Sequence, residues 1–247
     1  MNIRFDGRVV AVSGAGHGFG RAIAHSFADL GATVHICDLN AEALAVTAAG
    51  RDIHPTAFDL TDRNAAAAWI GGIGAAVDVL VNNAGGVAGQ TPHPLEEVQD
   101  DDWDRIFDIN VTAAMVLCRA AAPGMKAAGR GRIINISSGA GLQASLTGIQ
   151  AYCSTKHAVV GLTRQLAHEL GPFGITVNSV APGFIRTNPA TEKQWDSYGA
   201  EGQKALVQRI ALQHLGSAQD IANGVIFFAS DLASFVNGQI LSVDGGR

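Results

Sequence analysis

Short β-branched apolar runs alternate along the chain with longer segments whose apolar residues recur at helical spacing. Residues 8–13 (RVVAVS) read as a first strand, followed by a glycine cluster and a helix to about residue 30. Residues 32–38 form a second strand, with a helix from 40 to about 49, and residues 53–58 a weaker third. Residues 62–70 read as helix and 77–81 (VDVLV) as a fourth strand. One long helix is expected over 101–128, then a fifth strand over 132–137 (RIINIS). Residues 151–170 read as a long amphipathic helix with Val159, Leu162, Leu166 and Leu170 on one stripe. Residues 175–180 and 239–243 complete seven strands. Strands that are apolar throughout suit a parallel sheet covered on both faces. Alternating β and α elements select an α/β fold with right-handed crossovers. The least regular stretch is 183–216, which carries Trp195 and Tyr198 and is expected to form a lid.

A chain of 247 residues fits one domain, and no linker, repeat or low-complexity tract divides it. Lys and Arg number 17 against 22 Asp and Glu, for a net charge of −5. That balance favours neither nucleic acid nor an anionic membrane as partner. Cys37, Cys118 and Cys153 show no CxxC or zinc spacing and are expected to be buried free thiols in a reducing compartment. The first ten residues lack a signal peptide's apolar stretch, and no run of apolar residues approaches a membrane span, so a cytoplasmic protein is expected. No histidine pattern supports a metal site.

In open parallel sheets ligands bind at the carboxyl ends of the strands, so the residues after each strand carry the chemical information. After the first strand comes SGAGHGFG, residues 13–20, with Gly14, Gly18 and Gly20 at GxxxGxG spacing. Glycine permits a tight turn and close approach of a ligand, and the helix that follows presents free N–H groups to a pyrophosphate. A plain βα turn is the alternative reading. Asp38 ends the second strand, where a carboxylate accepts hydrogen bonds from adenosine ribose hydroxyls and repels a 2′-phosphate, favouring NAD over NADP. It could instead cap the helix at Asn40.

Tyr152 and Lys156 stand four residues apart on a predicted helix and share a face. A nearby ammonium stabilises a phenolate and brings the tyrosine toward general acid–base work. Ser138, ending the fifth strand, can hydrogen-bond a reacting oxygen. Asn110 is an awkward residue for a helix interior, which implies a local distortion, a water-binding role or surface placement.

These residues together make the chain resemble the short-chain dehydrogenase/reductase family along nearly its whole length. The resemblance rests on residues 13–20, Asp38, Asp59-Leu60, NNAG (82–85), Asn110, INISS (134–138), YCSTK (152–156), APGFIRT (181–187) and VDGG (243–246). It implies a doubly wound, Rossmann-type three-layer sandwich with a seven-stranded parallel sheet of order 3-2-1-4-5-6-7, in a homotetramer or homodimer. It implies a tetrad in which Tyr152 is the acid–base, Ser138 holds the substrate oxygen, Lys156 binds nicotinamide ribose and lowers the tyrosine pKa, and Asn110 positions a relay water. Gly14, His17, Gly18, Phe19 and Gly20 would surround the pyrophosphate and ribose, with Asp38 and Leu39 nearby. Asp59 and Leu60 would flank adenine. Asn83, Ala84 and Gly85 would line the cofactor cleft, and Pro182, Gly183, Ile185 and Thr187 would meet the carboxamide end. Ser13 stands where the family more often has Thr. The interval from Ser138 to Tyr152 is one residue longer than the commonest.

Leu142, Gln143, Thr147, Phe184, Trp195 and Tyr198 are the expected substrate-pocket residues, and their mix points to a mostly apolar small molecule with one or two polar groups. Trp195 and Tyr198 could instead pack the lid onto the body. The reading is an NAD-dependent secondary-alcohol dehydrogenase or ketone reductase. An NADPH-dependent 3-oxoacyl thioester reductase ranks second, and a non-catalytic dinucleotide sensor third.

Overall fold

All seven expected strands form, in a computed structural model that describes residues 3–247. They are β1 (Val9–Ser13), β2 (Thr33–Asp38), β3 (Ile53–Ala57), β4 (Val79–Asn82), β5 (Gly131–Ile136), β6 (Ile175–Pro182) and β7 (Ile240–Val243). They pair in parallel in one sheet of order β3-β2-β1-β4-β5-β6-β7. The order reverses between β1 and β4, so the carboxyl ends of those two strands open a crevice.

The period of two sorts side chains between two cores. Val10 and Val12 of β1 face the core covered by α1 (Gly18–Asp29) and α9 (Ala218–Ala229), where Phe27, Ile23, Ile221 and Val225 are fully buried. Ala11 and Leu80 face the opposite core under α3 (Arg63–Gly71), α5 (Ala113–Ala128) and α6 (Gln150–Leu170). Both edge strands are largely exposed, and β3 carries Pro55, a residue that sheet interiors reject. A shorter helix, α2 (Ala41–Ala48), packs between β2 and β3 and is capped by Asn40, whose side chain accepts the Ala43 N–H.

Four expectations need correction. The long helix is not uniform: α4 (Asp100–Phe107) passes through one π-helical turn at Asp108–Thr112 before α5. Asn110 lies in that turn and is buried, so the local distortion is the right reading and surface placement is not. The run Asp100–Ala128 is long and apolar enough to cross a membrane by length and composition, against the expectation that none would be. Val116, Leu117, Ala121 and Met125 of that run pack in the core instead. The stretch read as irregular holds two helices, α7 (Pro189–Ser197) and α8 (Gly199–Gln208). A capping box of Asn188 and Thr191 with Pro189 at the first turn starts α7. Cys37 and Cys118 are buried, but Cys153 is only half-buried, because it sits on the cleft side of α6.

Candidate functional site

The loop after β1 shows why its glycines are needed. Gly14 has φ +66, and a Cβ there would lie 2.7 Å from the Ala84 Cα; one on Gly20 would strike the Gly14 carbonyl and stand 2.6 Å from Asn83 Nδ2. The β1 and β4 ends are thus in direct backbone contact. Ser13 Oγ fixes that contact by accepting the N–H groups of Asn83 and Ala84, each at 3.1 Å, while Asn83 Nδ2 donates to the Ser13 and Gly14 carbonyls. Ser13 was visible in the sequence only as a hydroxyl beside the glycines; its grip on residues seventy positions away is long-range and left no local signal. His17 caps α1 without any side-chain hydrogen bond to the first turn, so the N–H groups of that turn lack a side-chain cap. Glycines packed this tightly, with an N-terminus uncapped by any side chain, fit a pyrophosphate.

Asp38 Oδ2 accepts the Gly16 N–H at 2.9 Å and Oδ1 accepts the Asn40 N–H at 3.1 Å. Asn40, not Asp38, is the helix cap. A carboxylate has about four acceptor positions, so ribose hydroxyls still find room. Sequence neighbours show no basic residue beside Asp38, but Arg21 donates to the Gly16 carbonyl and, at 3.0 Å, to Thr47. Arg21 and Asp38 therefore hold the same residue from opposite ends. Leu39 is 72% exposed beside Asp38, and Leu60 is buried while Asp59 turns its carboxylate onto Thr61.

The tetrad residues come from three elements that meet at the carboxyl edge of the sheet. Ser138 follows β5, its Oγ accepts the Ala140 N–H at 3.1 Å, and its hydroxyl faces that of Tyr152. Gly141 lets this turn sit against α6, since a Cβ there would be 2.6 Å from the Lys156 carbonyl oxygen. Tyr152 and Lys156 share a face of α6, with Lys156 Nζ 5.7 Å from the centre of the Tyr152 ring. Lys156 Nζ donates to the Ile136 carbonyl at 3.0 Å. Burial pulls Lys156 down to about 8. Burial also pushes the Tyr152 hydroxyl up, and a hydrogen bond with Ser138 opposes it. Sequence reasoning has Lys156 lower Tyr152; in this structure desolvation wins over any charge effect, because both groups leave water together.

Asn110 has a fuller set of contacts than its expected role implies. Its Oδ1 accepts the Gly86 N–H at 3.0 Å, and its Nδ2 donates to the Gly86 and Ile106 carbonyls, each at 2.8 Å. Both amide protons of Asn110 are engaged within the protein. Ser13, Arg21, Thr47 and Ile136 are the site residues that sequence reasoning did not assign.

The segment after β6 brings Thr187 to the glycine loop, while Gly183 packs against Asp244 and Ile185 against Gly216. A Cβ on Gly18 would be 3.3 Å from Thr187 Oγ1. An open groove of about 800 Å³ follows residues 186–196 from there. Phe184 stacks on Trp195 at 6.0 Å and meets Tyr198 at 5.8 Å, and Gln194 Nε2 donates to the Tyr198 hydroxyl at 2.6 Å. Phe184, Trp195 and Tyr198 thus pack largely on one another. Thr147 shares its hydroxyl with Ser145 and the Ile149 N–H, while Leu142 and Gln143 are exposed at the cleft rim. Among the described residues no group of three or more His, Cys, Asp or Glu side chains is placed to hold a metal ion.

A family model described as Enoyl-(Acyl carrier protein) reductase matches residues 14–247. D-threitol dehydrogenase of Mycolicibacterium smegmatis is 38% identical over 254 residues, covering 100% of this chain and 95% of that protein. A 3-oxoacyl-[acyl-carrier protein] reductase from Brucella melitensis with bound NAD has a TM-score of 0.88 at 37% identity, covering 99% of this chain and 93% of that one. An Agrobacterium tumefaciens structure with bound NADP has a TM-score of 0.88 at 35% identity, covering 99% and 97%.

Proposed function

This chain belongs to the short-chain dehydrogenase/reductase family of oxidoreductases, and from that premise we propose that it interconverts a secondary alcohol and a ketone with NAD(H). The observation that carries the proposal is the meeting of Ser138, Tyr152 and Lys156 at the crevice beside a glycine loop whose Gly16 N–H is held by the Asp38 carboxylate. Bound oxidised nicotinamide would supply the hydride acceptor and a fixed positive charge. Ser138 donates its hydroxyl hydrogen to the substrate oxygen and sets that oxygen against Tyr152. Tyr152 takes the hydroxyl proton as the carbinol carbon loses its hydride, and returns it in the reductive direction. Lys156 holds the ribose end and presents its Nζ to the tyrosine ring. Asn110 locks Gly86, and with it the loop that leaves β4.

The carboxylate of Asp38 favours NAD by accepting ribose hydroxyls and repelling a 2′-phosphate. Assembly as a homotetramer or homodimer in the cytoplasm is part of the same reading; Phe235 and Leu232, exposed near the β7 edge, supply apolar surface for it. A second reading is a 3-oxoacyl thioester reductase using NADPH; the Brucella relative supports its thioester part, although that structure holds NAD. A sensor role is the weakest, since both Tyr152 and Lys156 are present and placed for chemistry.

The experiment is an initial-rate screen of NAD reduction at alkaline pH over aliphatic, cyclic and aryl carbinols, polyols and 3-hydroxyacyl thioesters. Turnover of free alcohols with NAD supports the proposal. Turnover confined to thioesters with NADP replaces it with the second reading.

A further inference from the structure

The chain that leaves β4 turns on Gly85, Gly86, Ala88 and Gly89, all at positive φ, before reaching α4. It is tied down at three points: Gly86 to Asn110, Gln90 Nε2 to Asp102 Oδ1 at 2.6 Å, and the His93 carbonyl to Gln150 Nε2 at 2.9 Å. Between this segment and the first turn of α6 lies a cavity of about 530 Å³. Trp103, Ile106 and Ile149 give it an apolar floor, and Gln90, His93 and Gln150 are among the polar groups around it. Ile106, Ile149 and Ala151 also pack against Tyr152, so this cavity and the catalytic tyrosine share one layer of side chains.

We propose that this cavity is a specificity subsite for the hydroxylated part of a neutral polyol or sugar-like substrate whose carbinol reacts at Tyr152; the inference rests on the alcohol dehydrogenase reading. An indole face stacks on the C–H face of a polyol, while amides offer paired donors and acceptors to neighbouring hydroxyls. Gln90 and Gln150 each use one amide proton internally, and among the described residues neither carbonyl oxygen has a partner. The lining includes Glu96, Glu97 and Asp102 and no lysine or arginine, so a carboxylate or phosphate on the substrate meets like charge. The groove along residues 186–196 is lined by Arg186 and Lys193 and lacks an aromatic face, while Phe184, Trp195 and Tyr198 stack on one another.

The test compares kcat/KM with NAD for xylitol and 2-pentanol, which share a carbon count, in the wild type, Gln150→Leu and His93→Ala. The wild type is expected to favour xylitol by roughly tenfold or more, and each variant to lower the xylitol value roughly tenfold while 2-pentanol changes less than about twofold. Preference for 2-pentanol in the wild type, or an equal fall on both substrates, overturns the subsite. D-gluconate and D-glucamine replace xylitol in parallel assays; either one exceeding it roughly tenfold overturns the neutral-ligand argument. Turnover of 2-pentanol without xylitol leaves the alcohol dehydrogenase reading standing and removes the subsite. Should no alcohol turn over, that reading fails, and calorimetric titration of xylitol into the NADH-loaded chain decides the subsite alone. Heat that vanishes in Gln90→Ala supports it, and no heat in the wild type overturns it.

Discussion

Gly85 lies against Asn110 so closely that a Cβ on Gly85 would be 2.5 Å from Asn110 Oδ1 and 3.4 Å from Lys156 Nζ. Gly85 also has φ +150, a region that side chains disfavour. Gly85→Ala is therefore expected to displace Asn110 or Lys156 and to cut kcat/KM roughly a hundredfold, with far-ultraviolet circular dichroism unchanged. Activity within about threefold of wild type would show that the contact is slack.

The Lys156 ammonium is disfavoured by burial, and its pKa falls to about 8. The sign follows directly: above about pH 8 the folded lysine is neutral while the unfolded one stays charged to about pH 10.5, so stability rises with pH across that window. Lys156→Met is expected to raise stability at pH 7 by on the order of 1–3 kcal/mol, with the gain fading toward pH 10, and to cost nearly all activity. Denaturant melts at pH 7 and pH 10 measure it; a gain that grows with pH would reverse the assignment.

Much of this site was legible because the family-like residues follow strands, and strand ends are where an apolar run stops. Gly14, Asp38 and Ser138 follow strand ends and Tyr152 and Lys156 share a helical face, and the family resemblance supplied the roles expected of them. The irregular reading of residues 183–216 failed for a local reason. Asn188, Pro189 and Thr191 make a good helix start, but Gly199 and Gly202 in the next few turns obscure the period. The raised Tyr152 pKa was illegible for another reason: spacing reports which charges are near, not how much water is removed. Arg21 near Asp38, and the cavity under the β4 exit, arise from contacts between distant segments that no local pattern records.

Arg21 and Asp38 grip opposite ends of Gly16. Removing the carboxylate leaves the guanidinium and the glycine N–H for a 2′-phosphate. Asp38→Ala is expected to lower the NAD/NADP ratio of kcat/KM by roughly tenfold or more. An unchanged ratio would reduce Asp38 to a bracket for Gly16 and Asn40.

Tyr152 must be a phenolate to take a proton from an alcohol and a phenol to return one to a ketone. Its hydroxyl is pushed above the ordinary phenol value of 10 by burial, so oxidation should keep speeding up into the alkaline range, and reduction should slow only there. The most direct measurement is the rate of NAD reduction with a secondary alcohol at alkaline pH for wild type and Tyr152→Phe, alongside NADH binding by fluorescence. The account predicts a loss of about a thousandfold or more in kcat with a dinucleotide Kd within about threefold. A variant that turns over within about tenfold of wild type would contradict Tyr152 as the acid–base.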